Sequence, residues 1–206
     1  TDCREPDTVR ADVAAQVAAN HHAMKLLTEL GPPELLSTWM KHLQDVAAEA
    51  SRATFASLRK GRAEDVIGGV RIHLAIKPSE DRLIVDFSGT GRSHPGNLNA
   101  PSAVVRAAVL YALRSLSSSD IPLNEGSLRD VKILIPSPSI LAPPEDAAVA
   151  GGNVETSQRI ADLFLRAAGA RAGSQGTMNN LTLGGLWPGG RSWSYYETIG
   201  GGTGAA

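Results

Sequence analysis

Cysteine is almost absent from this sequence. Cys3 has no second thiol to pair with, so no internal disulfide is available, which suits a reducing compartment. Long apolar runs are missing too. None reaches the roughly 18–20 residues that span a bilayer, and the charged start, TDCREPDTVRADV, lacks the apolar stretch of a signal peptide. Charge of one sign is not in excess: 20 Lys and Arg oppose 21 Asp and Glu. That balance argues against a nucleic-acid or acidic-membrane partner. The pair His21-His22 reads as solvated, and His42, His73 and His94 show no ligand spacing; with one cysteine, no zinc cluster is legible. No G-x-x-x-x-G-K-[ST] string is present, and the closing GGGTGAA lacks the strand–glycine–helix order of a dinucleotide site. Asn180-Leu181-Thr182 fits a glycosylation sequon, yet nothing else marks secretion. There is no initiator Met and the last residues close no element, so both ends read as cut from a longer polypeptide.

What remains is enough for one sizeable domain or two small ones, with an ordinary 42% of apolar residues in a chain of 206. Val9, Val13, Val17, Met24 and Leu27 recur at helical spacing, which predicts a helix over 7–30. Gly31 and Pro32-Pro33 end it. A second helix follows to about residue 60, with Leu36, Trp39, Met40, Leu43, Val46, Ala47 and Ala50 as its inner stripe. The period then changes. Val70, Ile72, Leu74 and Ile76 alternate with Arg71, His73, Ala75 and Lys77, and Leu83, Val85 and Phe87 alternate again beyond a Pro-Ser-Glu-Asp turn, so a β-hairpin is expected over 70–87. Residues 102–117 read as a third helix, 131–136 as a buried strand, 155–170 as a fourth helix, and the tail as short strands between glycine turns. The expected fold is α+β: a long helical hairpin over 1–61, then a mixed α/β domain over 62–206 carrying glycine-rich loops.

The last sixty residues hold only seven charged side chains but 13 of the 21 glycines. Such a stretch suits backbone that closely approaches something. Within it, AVAGGNVETSQRI places Gly152, Asn153, Glu155, Thr156, Ser157 and Gln158 where a helix starts. Capping by Asn153 or Thr156, with Glu155 at the positive end of the dipole, accounts for one or two of these residues. The rest point to a polar site, since a helix N-terminus offers free N–H groups to an anion or carbonyl oxygen. SQGTMNN groups Gln175, Thr177, Asn179 and Asn180 around Gly176. By itself it reads as a hydrogen-bonded turn. GNLNAP reads as a turn in which Asn97 and Asn99 cap the third helix. YYETIGGGTG sets Glu197 beside tyrosines and a glycine run, either as a paired strand carboxylate or as a functional one.

In chain order, VDFSGTG, GNLNAP, DIPLNEG, AVAGGNVETSQRI, SQGTMNN and YYETIGGGTGA resemble the hydantoinase B/5-oxoprolinase family over nearly the whole chain, and RADVAAQVAANHHAMKLLTEL resembles that family's D-x-x-A-Q-x-A-A-N helix. The resemblance implies work with a hydantoinase A-type subunit that binds ATP with Mg, in a hetero-oligomer or fused on the same polypeptide, on a small cyclic amide in the cytoplasm. Phosphorylating the amide oxygen makes the ring carbon a better electrophile for water. A site for that reaction excludes stray water and stabilises developing oxygen charge with neutral donors. Glu155 and Glu197 are then the candidate proton-handling groups. Asn97, Asn99, Gly152, Asn153, Thr156, Ser157, Gln158, Gln175, Gly176, Asn179 and Asn180 are candidate substrate-binding residues. Family B subunits are longer, and their His/Asp-rich stretch of the H-x-x-D-x-G-G kind lies upstream of the region present here. A divalent metal such as Zn or Mn is therefore expected in the full-length B subunit, with no metal ligands in this chain. Two alternatives stand beside lactam or hydantoin opening: a subunit of an ATP-dependent ketone carboxylase, and a non-catalytic remnant serving as an assembly surface.

Overall fold

A computed structural model describes residues 6–170 and 173–204; Cys3 lies outside them. The expected α+β class is found. The order is α1 (Pro6–Leu30), α2 (Pro33–Ala56), β1 (Gly61–Ile67), β2 (Val70–Pro78), β3 (Leu83–Asp86), α3 (Ser102–Leu116), a 3₁₀ turn (Glu125–Leu128), β4 (Val131–Leu134), a π-helical turn (Gly152–Thr156), α4 (Ser157–Ala167), β5 (Asn180–Leu186) and β6 (Ser192–Thr198). Two compact units result. One contains residues 1–43 with 183–195, the other 44–182 with 196–206.

In the larger unit, β1 to β4 form one sheet in sequence order. β2 runs antiparallel to both β1 and β3, and β4 lies parallel to β3. A parallel neighbour needs a crossover, and α3 lies in that connection. The alternation in β2 and β3 has the expected result: Ile72, Leu74, Ile76, Leu83 and Val85 are fully buried on one face. They join Val105, Val109 and Leu113 of α3, Ile160, Leu163 and Phe164 of α4, and Phe55 of α2 in a single core. Burying each such side chain contributes about 1.5–3 kcal/mol, which holds the sheet and the three helices together.

Strand β1 was not among the expected elements. Glycine and acidic residues disfavour a strand, but pairing of Gly61–Ile67 with Val70–Ile76 imposes one. The turn is Gly68-Gly69, with φ +54° and +79°. Positive φ at both central residues is what a tight two-residue hairpin needs. Glycine at 61 has its own cause: a Cβ there would sit 1.9 Å from the Ala167 carbonyl oxygen.

The first two helices also depart from expectation. Helix α1 buries none of its residues. Its stripe of Val9, Val13, Val17, Met24 and Leu27 is exposed, as are Trp39, Met40, Leu43 and Val46 of α2, which were expected inside. Ala47, Ala48, Ser51, Thr54 and Phe55, in the second half of α2, are the buried ones. Amphipathic spacing forms the helix without supplying a surface to cover it. The tail differs likewise: every residue over 182–204 except Trp193 is exposed rather than enclosed. Trp187 and Trp193 meet there with ring centroids 6.1 Å apart.

Candidate functional site

The glycine-rich motifs of the larger unit converge through backbone contacts. Asn99 is fully buried. Its Oδ1 accepts from the His94 N–H at 2.7 Å, and its Nδ2 donates to the carbonyls of His94, Gly96 and Ala148 at 2.9, 3.0 and 3.0 Å. It therefore ties the 94–99 loop to the approach of the π turn. It does not cap α3, whose N-cap is Pro101 without a side-chain bond. The Gly151 N–H donates to the Asn97 carbonyl at 2.8 Å. A Cβ on Gly152 would fall 2.1 Å from the Asn99 carbonyl oxygen. Glycine at 152 is thus required by the close passage of two backbones. The buried Thr156 hydroxyl donates to the Leu98 carbonyl at 2.5 Å.

These contacts hold α4 in place, and α4 begins through the π turn rather than a side-chain cap. Single π turns recur at functional positions in helices. The wider turn leads into a helix on which Asn153, Ser157, Gln158 and Ala161 share one face, facing Val104, Ala107, Ala108 and Tyr111 of α3. With Met178 they line a cavity of about 390 Å³. The α3 wall is mainly apolar, whereas the α4 wall offers two carboxamides and a hydroxyl. A small-molecule pocket is commonly built this way: an apolar body with a few placed polar groups. Ser157 Oγ donates to the Asn153 carbonyl at 2.5 Å, which orients the hydroxyl along the turn.

The loop over 174–180 closes one side. Buried Asp162 accepts from the Ser174 N–H at 3.0 Å and its hydroxyl at 2.9 Å. The Thr177 hydroxyl donates to Glu155 Oε1 at 2.5 Å, and the Met178 N–H donates to the Val154 carbonyl at 3.2 Å. Glu155 is thus half-buried and engaged by this loop, outside the cavity lining. Gly176 passes over the Arg159 guanidinium, 2.9 Å from where its Cβ would be. Gln175 and Asn179 bond each other, Nδ2 to Oε1, at 3.1 Å. Asn179 holds φ +53°, an uncommon backbone state for a residue other than glycine. Asn180 donates to Tyr196 Oη and to Thr198 Oγ1, while its own Oδ1 is buried without a partner. Glu197 is exposed on β6.

Of the sequence candidates, Asn153, Ser157 and Gln158 therefore share the cavity. Asn99, Gly152 and Thr156 form the scaffold behind it. Glu155, Gln175, Gly176 and Asn179 belong to the loop junction beside it, and Asn97 and Glu197 are exposed. Tyr111 and Met178 were not anticipated. Val104, Ala107 and Tyr111 form a second helical stripe on α3, and that spacing was the available signal. Among the described residues no three His, Cys, Asp or Glu side chains group to hold a metal. The described residues therefore do not fit the divalent ion expected of the full-length B subunit.

This geometry sits in a sequence that matches the Hydantoinase B/oxoprolinase family over residues 1–206. The chain belongs to that family. It is 44% identical to 5-oxoprolinase 1 of Arabidopsis thaliana and 38% identical to 5-oxoprolinase of Saccharomyces cerevisiae, in each case over 95% of this chain. It spans only 17% of the length of either relative. Among solved structures, the ATP-dependent caprolactamase from Pseudomonas jessenii shares the fold, with a TM-score of 0.68 at 18% identity, covering 92% of this chain and 35% of that one. A nucleotide-free acetone carboxylase shares it at the same TM-score and 12% identity, covering 89% and 29%. No described helix is long and apolar enough to cross a membrane.

Proposed function

We propose that this chain contributes the substrate-facing wall of an ATP-dependent enzyme that opens a cyclic amide. The cavity between α3 and α4 is the observation that carries the reading. A lactam or hydantoin has two unlike edges, a run of ring carbons and an amide. The apolar α3 wall suits the first, and the Asn153, Ser157 and Gln158 groups suit the second. A carboxamide both donates to the ring carbonyl and accepts from the ring N–H. After ATP phosphorylates the amide oxygen and ADP leaves, water adds to the ring carbon. The C–N bond breaks, phosphate is released, and the nitrogen takes up a proton to leave the open amino acid. Neutral donors already aimed at that oxygen lower the barrier, because they need no reorganisation as charge develops. Glu155, fastened to Thr177, holds the 174–180 loop against the turn; its carboxylate is also the nearest candidate for handling the proton. In this reading an A-type partner subunit, or an equivalent region of the same polypeptide, supplies ATP and Mg in the cytoplasm.

The test uses the intact assembly containing this chain. Asn153→Ala and Gln158→Leu are each expected to lower kcat/KM for ATP-dependent opening of 5-oxoproline or a hydantoin by about 10–100-fold, the scale of losing one or two polar contacts to a reacting group. Unchanged rates for both variants refute the assignment of the cavity. Bicarbonate-dependent consumption of acetone, without ring opening, would refute cyclic amide hydrolysis and favour the carboxylase alternative.

A further inference from the structure

The outward face of the four-stranded sheet holds a second concavity, of about 490 Å³, far from neutral in its lining. Strand register explains its shape. Ala75 of β2 is directly opposite Arg62 of β1 and Asp86 of β3. Residues directly opposite in antiparallel strands share a face, and His73 and Lys77 flank Ala75 along β2 on that same face. The short alanine side chain is therefore ringed by long polar ones and forms the floor of a depression, with Lys60, Gly61 and Ser88 completing the rim.

The charges on this rim do not cancel. Lys77 Nζ is 3.0 Å from Asp86 Oδ2, so that cation is paired. The side chains of Lys60 and Arg62 have no hydrogen bond or ion pair among the described residues. The nearby Glu64, opposite His73, is directed to Arg71 at 3.9 Å. His73 is held by its backbone: its N–H donates to Thr90 Oγ1, and that hydroxyl donates back to the His73 carbonyl, each at 3.2 Å. Its Nδ1 is buried without a partner. The Gly61 backbone, pressed on the end of α4, fixes Lys60 and Arg62 at the rim rather than on a loose loop.

We propose that this depression binds a phosphoryl group, with Lys60 and Arg62 supplying the opposing charge beside the His73 ring. Two unpaired cations match a dianionic phosphate better than a single carboxylate, and an arginine fork suits its oxygens. Inorganic phosphate and the phosphate tail of a nucleotide are the two sources of this chemistry. The site is separate from the cavity between α3 and α4, and the proposal does not depend on the reading of that cavity.

The test is titration of the 206-residue chain with inorganic phosphate, and separately with ATP, at constant ionic strength held by chloride. The His73 ring resonances are followed by NMR. Saturable shifts are expected, and the double variant Lys60→Gln/Arg62→Gln is expected to weaken binding at least tenfold. Ser157→Ala, in the other cavity, should leave it unchanged. Equal affinity for both ligands identifies the phosphoryl group itself as the ligand, and tighter ATP binding identifies a nucleotide. Circular dichroism of the double variant separates lost binding from lost folding. Shifts that never saturate in the unmodified chain, or a folded double variant that binds as before, would overturn the proposal.

Discussion

Replacing Gly152 by alanine tests the scaffold with a single methyl group. The added Cβ would lie 2.1 Å from the Asn99 carbonyl oxygen and 2.9 Å from both the Asn99 carbonyl carbon and the Ala100 Cα. All three are backbone atoms, so no flexible side chain can swing aside. Asn99 is itself locked by four hydrogen bonds, which resist a shift of that loop. The π turn must therefore move away. That movement strains or breaks the Gly151-to-Asn97 bond of 2.8 Å and the Thr156-to-Leu98 bond of 2.5 Å. Overpacking of this kind costs about 1–3 kcal/mol, and each hydrogen bond lost adds about 1 kcal/mol. The expected total is about 2–5 kcal/mol. For a chain of this size, about 1 kcal/mol corresponds to roughly 2–4 °C in Tm, so a fall of about 5–15 °C is expected. Thermal unfolding followed by circular dichroism reads it, with urea unfolding to confirm that the m-value is unchanged. A Gly152→Ala chain melting within about 2 °C of the parent would refute the close-passage argument.

Further outcomes follow from single contacts. Asp162→Ala removes the acceptor of two bonds from Ser174; a loss of about 1–3 kcal/mol is expected, with faster amide exchange confined to the 174–180 loop. Glu155→Gln and Thr177→Val are each expected to cost about 1 kcal/mol, and a double-mutant cycle should show the two effects coupled, because they share one bond at 2.5 Å. Asp86 is held at a pKa of about 2, below its ordinary 3.8, first by its hydrogen bonds from Ser88 and then by Lys77. A lowered folded-state pKa stabilises above the unfolded value, and that stabilisation disappears as pH falls from about 4 towards 2. Asp86→Asn should therefore flatten the pH dependence of unfolding in that window by about 1–2 kcal/mol, and an unchanged slope would contradict it.

The parts of this fold that were legible in the sequence are those where local pattern and tertiary burial agree. Ile72, Leu74 and Ile76 alternate in sequence and are fully buried in space. Strand β1 was not legible because its propensity opposes its state, although the Gly68-Gly69 pair between Ile67 and Val70 marked the turn. The stripe of α1 was legible as a helix but not as exposed, since spacing alone carries no information about what covers a face. The candidate site was legible as a set of motifs, and those motifs do meet: Gly151 with Asn97, Thr156 with Leu98, and Thr177 with Glu155. Which groups face a cavity was not legible. That depends on helical phase: Asn153 and Ser157 fall on one side of the turn, and Glu155 falls between them on another. The partners from α3, Tyr111 above all, lie more than forty residues earlier in the chain and have no motif of their own.

The most direct measurement is a crystal structure of the intact assembly with a bound lactam. Ring density is expected between α3 and α4, with the amide edge within hydrogen-bond distance of Asn153, Ser157 or Gln158 and the ring carbons against Val104 and Ala108. Density for the ring elsewhere, with the cavity filled only by water, would contradict it.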